Sequence, residues 1–399
     1  MSWEKKTLDQ LGQVSRGKSK HRPRNDAKLF GGRYPFIQTA DVKNTELYIT
    51  EYSQTYNDFG LSQSKLWDVG TLCITIAANI ADTAILGIPA CFPDSVMGFT
   101  PYENISDVRF VKYSFDLLQR ECKQISQGTA QDNLSWKKLS TIKFPAPSYE
   151  VQKKIANILG VYDDLIENNK KQIRLLEEMA QRLYKEWFVD LHFPGYENVE
   201  IVNGVPKGWE RKKISEFGKI ITGKTPSTSQ KAYYGGKIPF VKIPDMHNCV
   251  YPIVTESTLT SEGANSQKNK FLPRNSVMVS CIATVGLVNI SVEPCQTNQQ
   301  INSIVLDNIE DLYYIYSTMK RIKALLQGVG SNGATMTNVN KSKFGNLEVL
   351  YPDSNLQKDY YDFCEPIFRK IYDLSISSTR LIKVRDCLCS KLMNGELEV

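Results

Sequence analysis

EVQKKIANILGVYDDLIENNKKQIRLLEEMAQRLYKEWFVDLHF, from Glu150 to Phe193, is the stretch that decides the fold. It contains no proline, and its one glycine is Gly160. Apolar side chains recur at Val151, Ile155, Ile158, Tyr162 and Leu165, then at Ile173, Leu176, Met179, Leu183 and Trp187. The steps are three or four residues apart from a break at Asn168 and Asn169, which is the pattern of a heptad-like seam with charge on the other faces. An ordinary amphipathic helix on a globular core would show the same stripe. Length argues for something more, because roughly 36 helical residues at 1.5 Å each span about 55 Å. A second element has to cover that seam.

The chain supplies one by repeating itself. Comparing the sequence with itself, Trp3-Glu4 matches Trp209-Glu210, and GQVSRGK from Gly12 to Lys18 matches GKIITGK from Gly218 to Lys224. GGRYPFI from Gly31 matches GGKIPFV from Gly235, and the strand-like run from Gly70 matches the run from Asn275. Gly32 and Gly236 stand 204 residues apart, and Gln152 and Gln357 stand 205 apart. One register held over so many blocks is a tandem duplication of about 205 residues. It predicts a second long helix over Leu356–Leu392, with apolar positions Leu356, Tyr360, Phe363, Ile367, Ile371, Leu374, Leu381, Val384, Leu388 and Leu392. Pro366 should kink or interrupt it. The first helix leads into the second copy and the second can lead back, so the two should pair antiparallel.

The expected architecture is α+β: two similar mixed α/β domains separated by a pair of long antiparallel helices. The expected boundaries are 1–149 for the first domain, 150–193 for the central helix, 194–353 for a Pro/Gly-rich linker and the second domain, and 354–399 for the returning helix. Short β-branched runs at Tyr34–Gln38, Thr71–Ile76, Ile85–Ile88 and Val277–Ile282 read as strands, and Val108–Gln119 and Leu312–Leu326 read as helices.

Composition removes several function classes. Hydrophobic content of 41% with 23% charged residues suits a soluble protein with real cores. No apolar run reaches a membrane span, and the N-terminus has no signal-peptide pattern, so a cytoplasmic protein without a membrane role is expected. Nine scattered cysteines form no CxxC and suggest reduced thiols, while three distant histidines offer no metal site. A net charge of +6 hints at an anionic partner.

GKIITGKT at Gly218–Thr225 fits the P-loop expression GxxxxGK[ST], and so does GQVSRGKS at Gly12–Ser19. That chemistry needs a helix directly after the loop. Pro226 follows one copy and Lys20-His21-Arg22-Pro23-Arg24 the other, so the nucleotide-binding alternative is the weaker one. With no serine-hydrolase elbow, no amino-methyltransferase tetrapeptide and little histidine, the chain reads as a non-catalytic binder rather than an enzyme. A coiled-coil scaffold without a DNA role is a further alternative.

Phosphate-backbone contact explains the Gly-Lys loops better. Lys18, Ser19, Lys20, Arg22 and Arg24 in the first copy, and Lys224 and Thr225 in the second, are candidate DNA contacts. Gln38, Thr39, Lys242, Asn298 and Gln299 are candidates for contacting base edges. Gln127, Ser331 and Asn332 lie in Gly/Ser/Asn-rich loops suited to close backbone approach. The pairing seam is expected to use Ile155, Ile158, Tyr162, Leu165, Leu176 and Leu183 against Tyr360, Phe363, Ile367, Leu374, Leu381 and Leu388.

Pro145–Gln152, KIANIL at Lys154–Leu159, YDDLIENN at Tyr162–Asn169, Leu175-Leu176, WFVD at Trp187–Asp190, FPG at Phe193–Gly195, RDCL at Arg385–Leu388 and KLMNGEL at Lys391–Leu397 occur in order over the whole chain. GKTP at Gly223–Pro226 and IPFV at Ile238–Val241 join them. In this ordered set the chain resembles the specificity subunit of a type I restriction–modification system, or of a methylation-only or type IIB-like relative. The resemblance implies two target recognition domains, each reading half of a bipartite double-stranded DNA target. It implies two methyltransferase subunits docked on the helices, and restriction subunits in the full nuclease. S-adenosylmethionine, Mg²⁺ and ATP would belong to those partners, with no cofactor on this chain.

Overall fold

The computed structural model describes residues 3–76, 82–125, 139–321, 323, 339–352 and 354–399, the side chains of 120–125 excepted. The chain divides into two compact units, residues 1–166 with 381–399, and residues 167–380. Each unit therefore takes in part of both long helices.

The two units repeat one sheet plan. In the first, a sheet runs in the order Gly12–Arg16, Val96–Pro101, Leu72–Thr75, Thr83–Leu86, Tyr48–Ile49. Only its last pair is parallel. In the second, the order is Gly218–Thr222, Ile301–Leu306, Val277–Ser280, Val288–Ile290, all antiparallel. A bulged pair, Phe30–Phe36 with Gln54–Tyr56, recurs as Tyr234–Val241 with Ser257–Leu259. A short strand near each copy's start pairs with the strand before its long helix: Lys5–Thr7 with Lys143–Pro145, and Glu210–Lys213 with Glu348–Tyr351. The central strands Leu72–Thr75 and Val277–Ser280 are buried at every position. This is why they read as continuous apolar runs rather than alternating ones.

Helix Val108–Ile125 lies across the first sheet with Val111 and Phe115 in the sheet core. Its Phe110 and Tyr113 join a second cluster with Ile155, Ala156 and Leu159 of the central helix and Cys389, Leu392 and Met393 of the C-terminal helix. Helix Leu312–Arg321 plays the same part in the second unit, within one large core. There Phe188 meets Tyr360 edge-on at 4.9 Å and Tyr314 at 5.1 Å. Truncating one such buried ring to alanine costs about 3–5 kcal/mol.

The central helix runs Tyr149–Phe188 and the C-terminal helix Ser354–Met393, 40 residues each, or about 60 Å. Gln152 and Gln357, both 1% exposed, tie the two helix starts to their own domains. Gln152 Nε2 donates to the Ile105 carbonyl at 3.0 Å, and Gln357 Nε2 to the Glu310 carbonyl at 3.2 Å. Donors and acceptors alike occupy matching places in the two copies. The central helix stops short of Phe193 because Leu191 adopts φ 63°. The His192 N–H then returns to the Glu186 carbonyl at 2.8 Å, a terminal capping turn. The C-terminal helix runs through Pro366 without interruption. Pro366 sits on the exposed side, and buried Cys364, Ile367 and Phe368 hold the flanking turns in place.

Within each unit the helix contacts run in opposite senses. In the first, Asp163 meets Arg385, while Ile155 and Leu159, further back, cluster with Cys389 and Leu392, further on. In the second, Asn169 meets Ser377 at 3.3 Å, while the Tyr184 ring meets the Tyr360 ring. The pair is antiparallel.

The buried face differs from the expected seam by about one residue. Ile158, Leu165 and Phe363 are exposed. Buried in their place are Leu159, Ile166 and Cys364, joined by Gln152, Asp163, Asn169, Ala156 and Ala180. Ile155, Tyr360, Ile367 and Leu374 are buried, and Tyr162, Leu176, Leu183, Leu381 and Leu388 half-buried. The true face carries polar and small side chains, so a reading based on apolar residues alone slides off it.

Candidate nucleic-acid interface

In the first unit a cleft of about 680 Å³ opens beside the bulged strand pair. Ser19 and Arg24 line it from the basic loop, Gln38 and Thr39 from the start of helix Thr39–Lys43, with Phe30, Phe36, Gln54 and Ser95 completing the wall. Four residues singled out in the sequence thus share one cavity. Asn25, Gln54 and Ser95 were not singled out. Gln54 arrives only through the antiparallel register that sets it opposite Phe36.

Lys18, Lys20, Arg22 and Arg24 are exposed, whereas Ser19 is buried. The Arg22 guanidinium donates to the Ser19 carbonyl at 2.6 Å and the His21 carbonyl at 2.8 Å, and lies 3.8 Å from Asp94. Arg24 meets the same Asp94 at 2.7 Å. Exposed ion pairs of this kind contribute about 0–1 kcal/mol, little enough for a phosphate to replace the carboxylate. His21 bonds Asp26 at 2.8 Å. The Lys28 backbone N–H, then His21, hold the Asp26 carboxyl below its usual range. The loop is therefore shaped by its own contacts while its cations face outward.

Gln38 is fixed at both ends. Its backbone N–H donates to Asp41 at 2.7 Å, and its side-chain Nε2 donates to Gln54 Oε1 at 2.6 Å. An amide pair at a cleft mouth can exchange this internal bond for the N6/N7 edge of adenine.

The second unit repeats the frame with other side chains. The Lys242 backbone N–H donates to Asp245 at 2.8 Å, and its Nζ reaches Glu256 at 3.3 Å. Position 242 is thus the counterpart of 38, with an ion pair replacing the amide pair. Lys224 is exposed, and Thr225 donates its hydroxyl to Gln299 Oε1 at 2.7 Å. Asn298 departs from expectation. It is 8% exposed, with its amide turned onto Gln300 at 2.8 Å, so only Gln299 of that pair presents a side chain to solvent. Gln127, Ser331 and Asn332 lie outside the described residues.

The P-loop pattern has a structural cause. Gly17 and Lys18 donate their N–H groups to the Val96 and Phe92 carbonyls, and Gly223 and Lys224 theirs to Ile301 and Thr297. A phosphate cradle needs those groups free. A side chain at Gly17 would stand 2.3 Å from the Pro93 carbonyl, and one at Gly223 2.2 Å from that of Asn298. The glycines permit close chain packing, and no helix begins directly after either loop. Among the described residues, no group of His, Cys, Asp and Glu could hold a metal, and no helix is long and apolar enough to cross a membrane.

The sequence matches the family described as type I restriction modification DNA specificity domain over residues 1–178 and again over 206–377. It is 34% identical over 326 residues to the type I restriction enzyme HindI specificity subunit of Haemophilus influenzae, covering 66% of this chain and 71% of that one. It is 27% identical over 413 residues to the MjaIX specificity subunit of Methanocaldococcus jannaschii, covering 100% of this chain and 94% of that one. The fold resembles the crystal structure of a type I restriction–modification S subunit from M. genitalium, with TM-score 0.56, 16% identity, and 98% and 96% of the two chains covered. With both repeats matched by one family and the sheet plan duplicated, the chain belongs to the type I restriction–modification DNA specificity proteins.

Proposed function

We propose that this chain is the non-catalytic specificity subunit of a type I restriction–modification complex and reads a bipartite double-stranded DNA target. Each recognition domain, 1–149 and 194–353, contacts one half-site through its basic loop and the adjacent cleft. The helices at 150–193 and 354–399 set the unread gap and dock two methyltransferase subunits. Restriction subunits join in the nuclease. S-adenosylmethionine, Mg²⁺ and ATP serve those partners, and the complex works in the cytoplasm.

The carrying observation is duplication of the interface frame itself. The same loop, capped turn and strand pair occur once in each copy, with Gln38 and Gln54 in the first and Lys242 and Glu256 in the second. One scaffold with two different side-chain sets suits two different half-sites. Docking on the helices is supported by exposed apolar positions at heptad-like steps on the central helix. Ile158, Val161 and Leu165 lie in its first stretch, and Leu175 and Met179 in its second. Side chains of this kind left in water on a helix face mark a protein-contact surface.

The test is single-molecule methylome sequencing of cells expressing this chain with its cognate modification subunit. A single motif of two short half-sites around a fixed gap is expected. A continuous motif, or no sequence-specific methylation, would overturn the reading.

A further inference from the structure

Most side chains buried along the long helices are apolar, and apolar packing alone specifies the register of a helix pair less sharply than a polar contact does. Within the first unit it holds one buried charged contact. Asp163 of the central helix is 4% exposed, and its Oδ1 accepts from Arg385 Nη1 of the C-terminal helix at 2.6 Å, where Arg385 is 16% exposed. Tyr113 of helix Val108–Ile125 donates its hydroxyl to the other carboxylate oxygen. Arg385 also bonds Asp386 at 3.0 Å. Burial alone would weaken the proton on Arg385, yet the Asp163 hydrogen bond and charge raise its pKa.

The duplication shows what this cluster could have been. In the register that aligns Gln152 with Gln357, the counterparts of Asp163 and Arg385 are Phe368 and Ala180, both fully buried. At the counterpart positions, then, buried apolar side chains serve where the first unit keeps two charges. Buried ion pairs add little stability over a well-packed apolar pair, whereas a buried charge without its partner is costly. Their best-attested use is to specify register, as a single polar side chain does in coiled coils.

We propose that Asp163 and Arg385, with Tyr113, form the register key of the helix pair, fixing which heptad of the C-terminal helix lies against the central helix. Sequence shows how slippage is rejected. A one-heptad shift moves Asp163 to Ser378 or Leu392. It moves Arg385 to Ala156 or Lys170. Both charges lose their partner, and one shift sets like charges together. Pairing two central helices would bury Asp163 against Ala180, again unpaired. The key thereby also selects pairing of unlike helices over like. Through Tyr113, the recognition domain's own helix is tied to the same point. Asp163 and Arg385 are positioning residues in target recognition, an assignment that rests on the proposed function only for its effect on DNA.

The test uses the full chain on a Cys387→Ser background. Spin labels go on cysteines at Val161 and Val384, both exposed and both in the first unit. A chain without these two added cysteines controls for native thiols. Pulsed dipolar spectroscopy should give one distance for the parent. D163L/R385L should unfold at a similar or higher temperature but give two or more distances, because a heptad slip displaces the labels by about 10 Å along the axis. D163N/R385Q, closer in shape, should do the same and serves if the leucine variant fails to fold. A single, parental distance in the folded neutral variants would overturn the key. Methylome sequencing of the same variants separates the two ideas. More than one gap length is expected. A mixed distance distribution with one unchanged gap would leave the key standing and overturn the reading that helix register sets the gap.

Discussion

Asp41 and Asp245 perform the same task, one in each copy. Each carboxylate accepts the backbone N–H of the residue three positions earlier, Gln38 at 2.7 Å and Lys242 at 2.8 Å. That closes the turn presenting residue 38 at the cleft and residue 242 at the matching place. Removing such a cap costs about 1 kcal/mol. Asp41→Ala should therefore lower the unfolding temperature modestly and weaken discrimination in one half-site only, and Asp245→Ala the same in the other. Binding measured with oligonucleotides altered in one half-site at a time checks this. Loss at both half-sites from one substitution would contradict the assignment of one copy to each.

The basic loop separates into two classes of cation. Lys18 and Lys20 are exposed, while Arg22 and Arg24 share Asp94. A lysine on a phosphate contributes about one unit to the slope of log affinity against log salt. K18A/K20A should flatten that slope by roughly one to two units and weaken binding alike for all sequences. Asp94→Asn should act oppositely, tightening binding at low salt by releasing both arginines. Salt titrations of the assembled complex decide the matter, and unaltered slopes would remove this loop from the interface.

Much of this was legible in the sequence because the duplication is enforced by packing. Gly17 and Gly223 sit where a Cβ would strike a neighbouring carbonyl. Gln152 and Gln357 sit where a buried side chain must reach a carbonyl at the head of a helix. Such positions resist change, so they align. What escaped depends on contacts distant in sequence. Asp94 lies 70 residues from Arg24, and no local pattern announces their pairing. The buried face lies about one residue from the apolar pattern because Asp163 and Asn169 are buried on it, and burial of a polar side chain becomes visible only with its partners, Arg385 and Ser377, in place.

Asp311 gives a pH-dependent stability test. It is 3% exposed and accepts the Tyr351 hydroxyl at 2.8 Å. Burial raises its carboxyl pKa, and the Tyr351 bond only partly opposes this. A carboxyl whose folded pKa exceeds its unfolded one favours the fold most below the unfolded value. That contribution is lost as pH rises through the folded value. At neutral pH the carboxylate is thus a net cost. Asp311→Asn, which keeps an acceptor for Tyr351, should raise the unfolding temperature at pH 7, with the gain shrinking as pH falls through the raised folded value and levelling off below about 4. A gain that grows on acidification would contradict this account.

The helix pair offers the most direct functional test. Four residues add about 6 Å of helix and turn it by about 400°, so each side chain beyond the insertion returns to within about 40° of its former face. Asn169 and Ser377 mark matching levels in the second unit. Four-residue insertions after both keep the two helices in step, whereas an insertion in one alone would set Asp163 against the wrong turn. About 6 Å corresponds to roughly two base pairs at 3.4 Å each. The complex built on the doubly inserted chain should methylate a target with the same two half-sites and a gap about two base pairs longer. The single insertion should lose activity in proportion to lost folding. Methylome sequencing reads both outcomes. An unchanged gap in the doubly inserted chain would show that the helices do not measure the target.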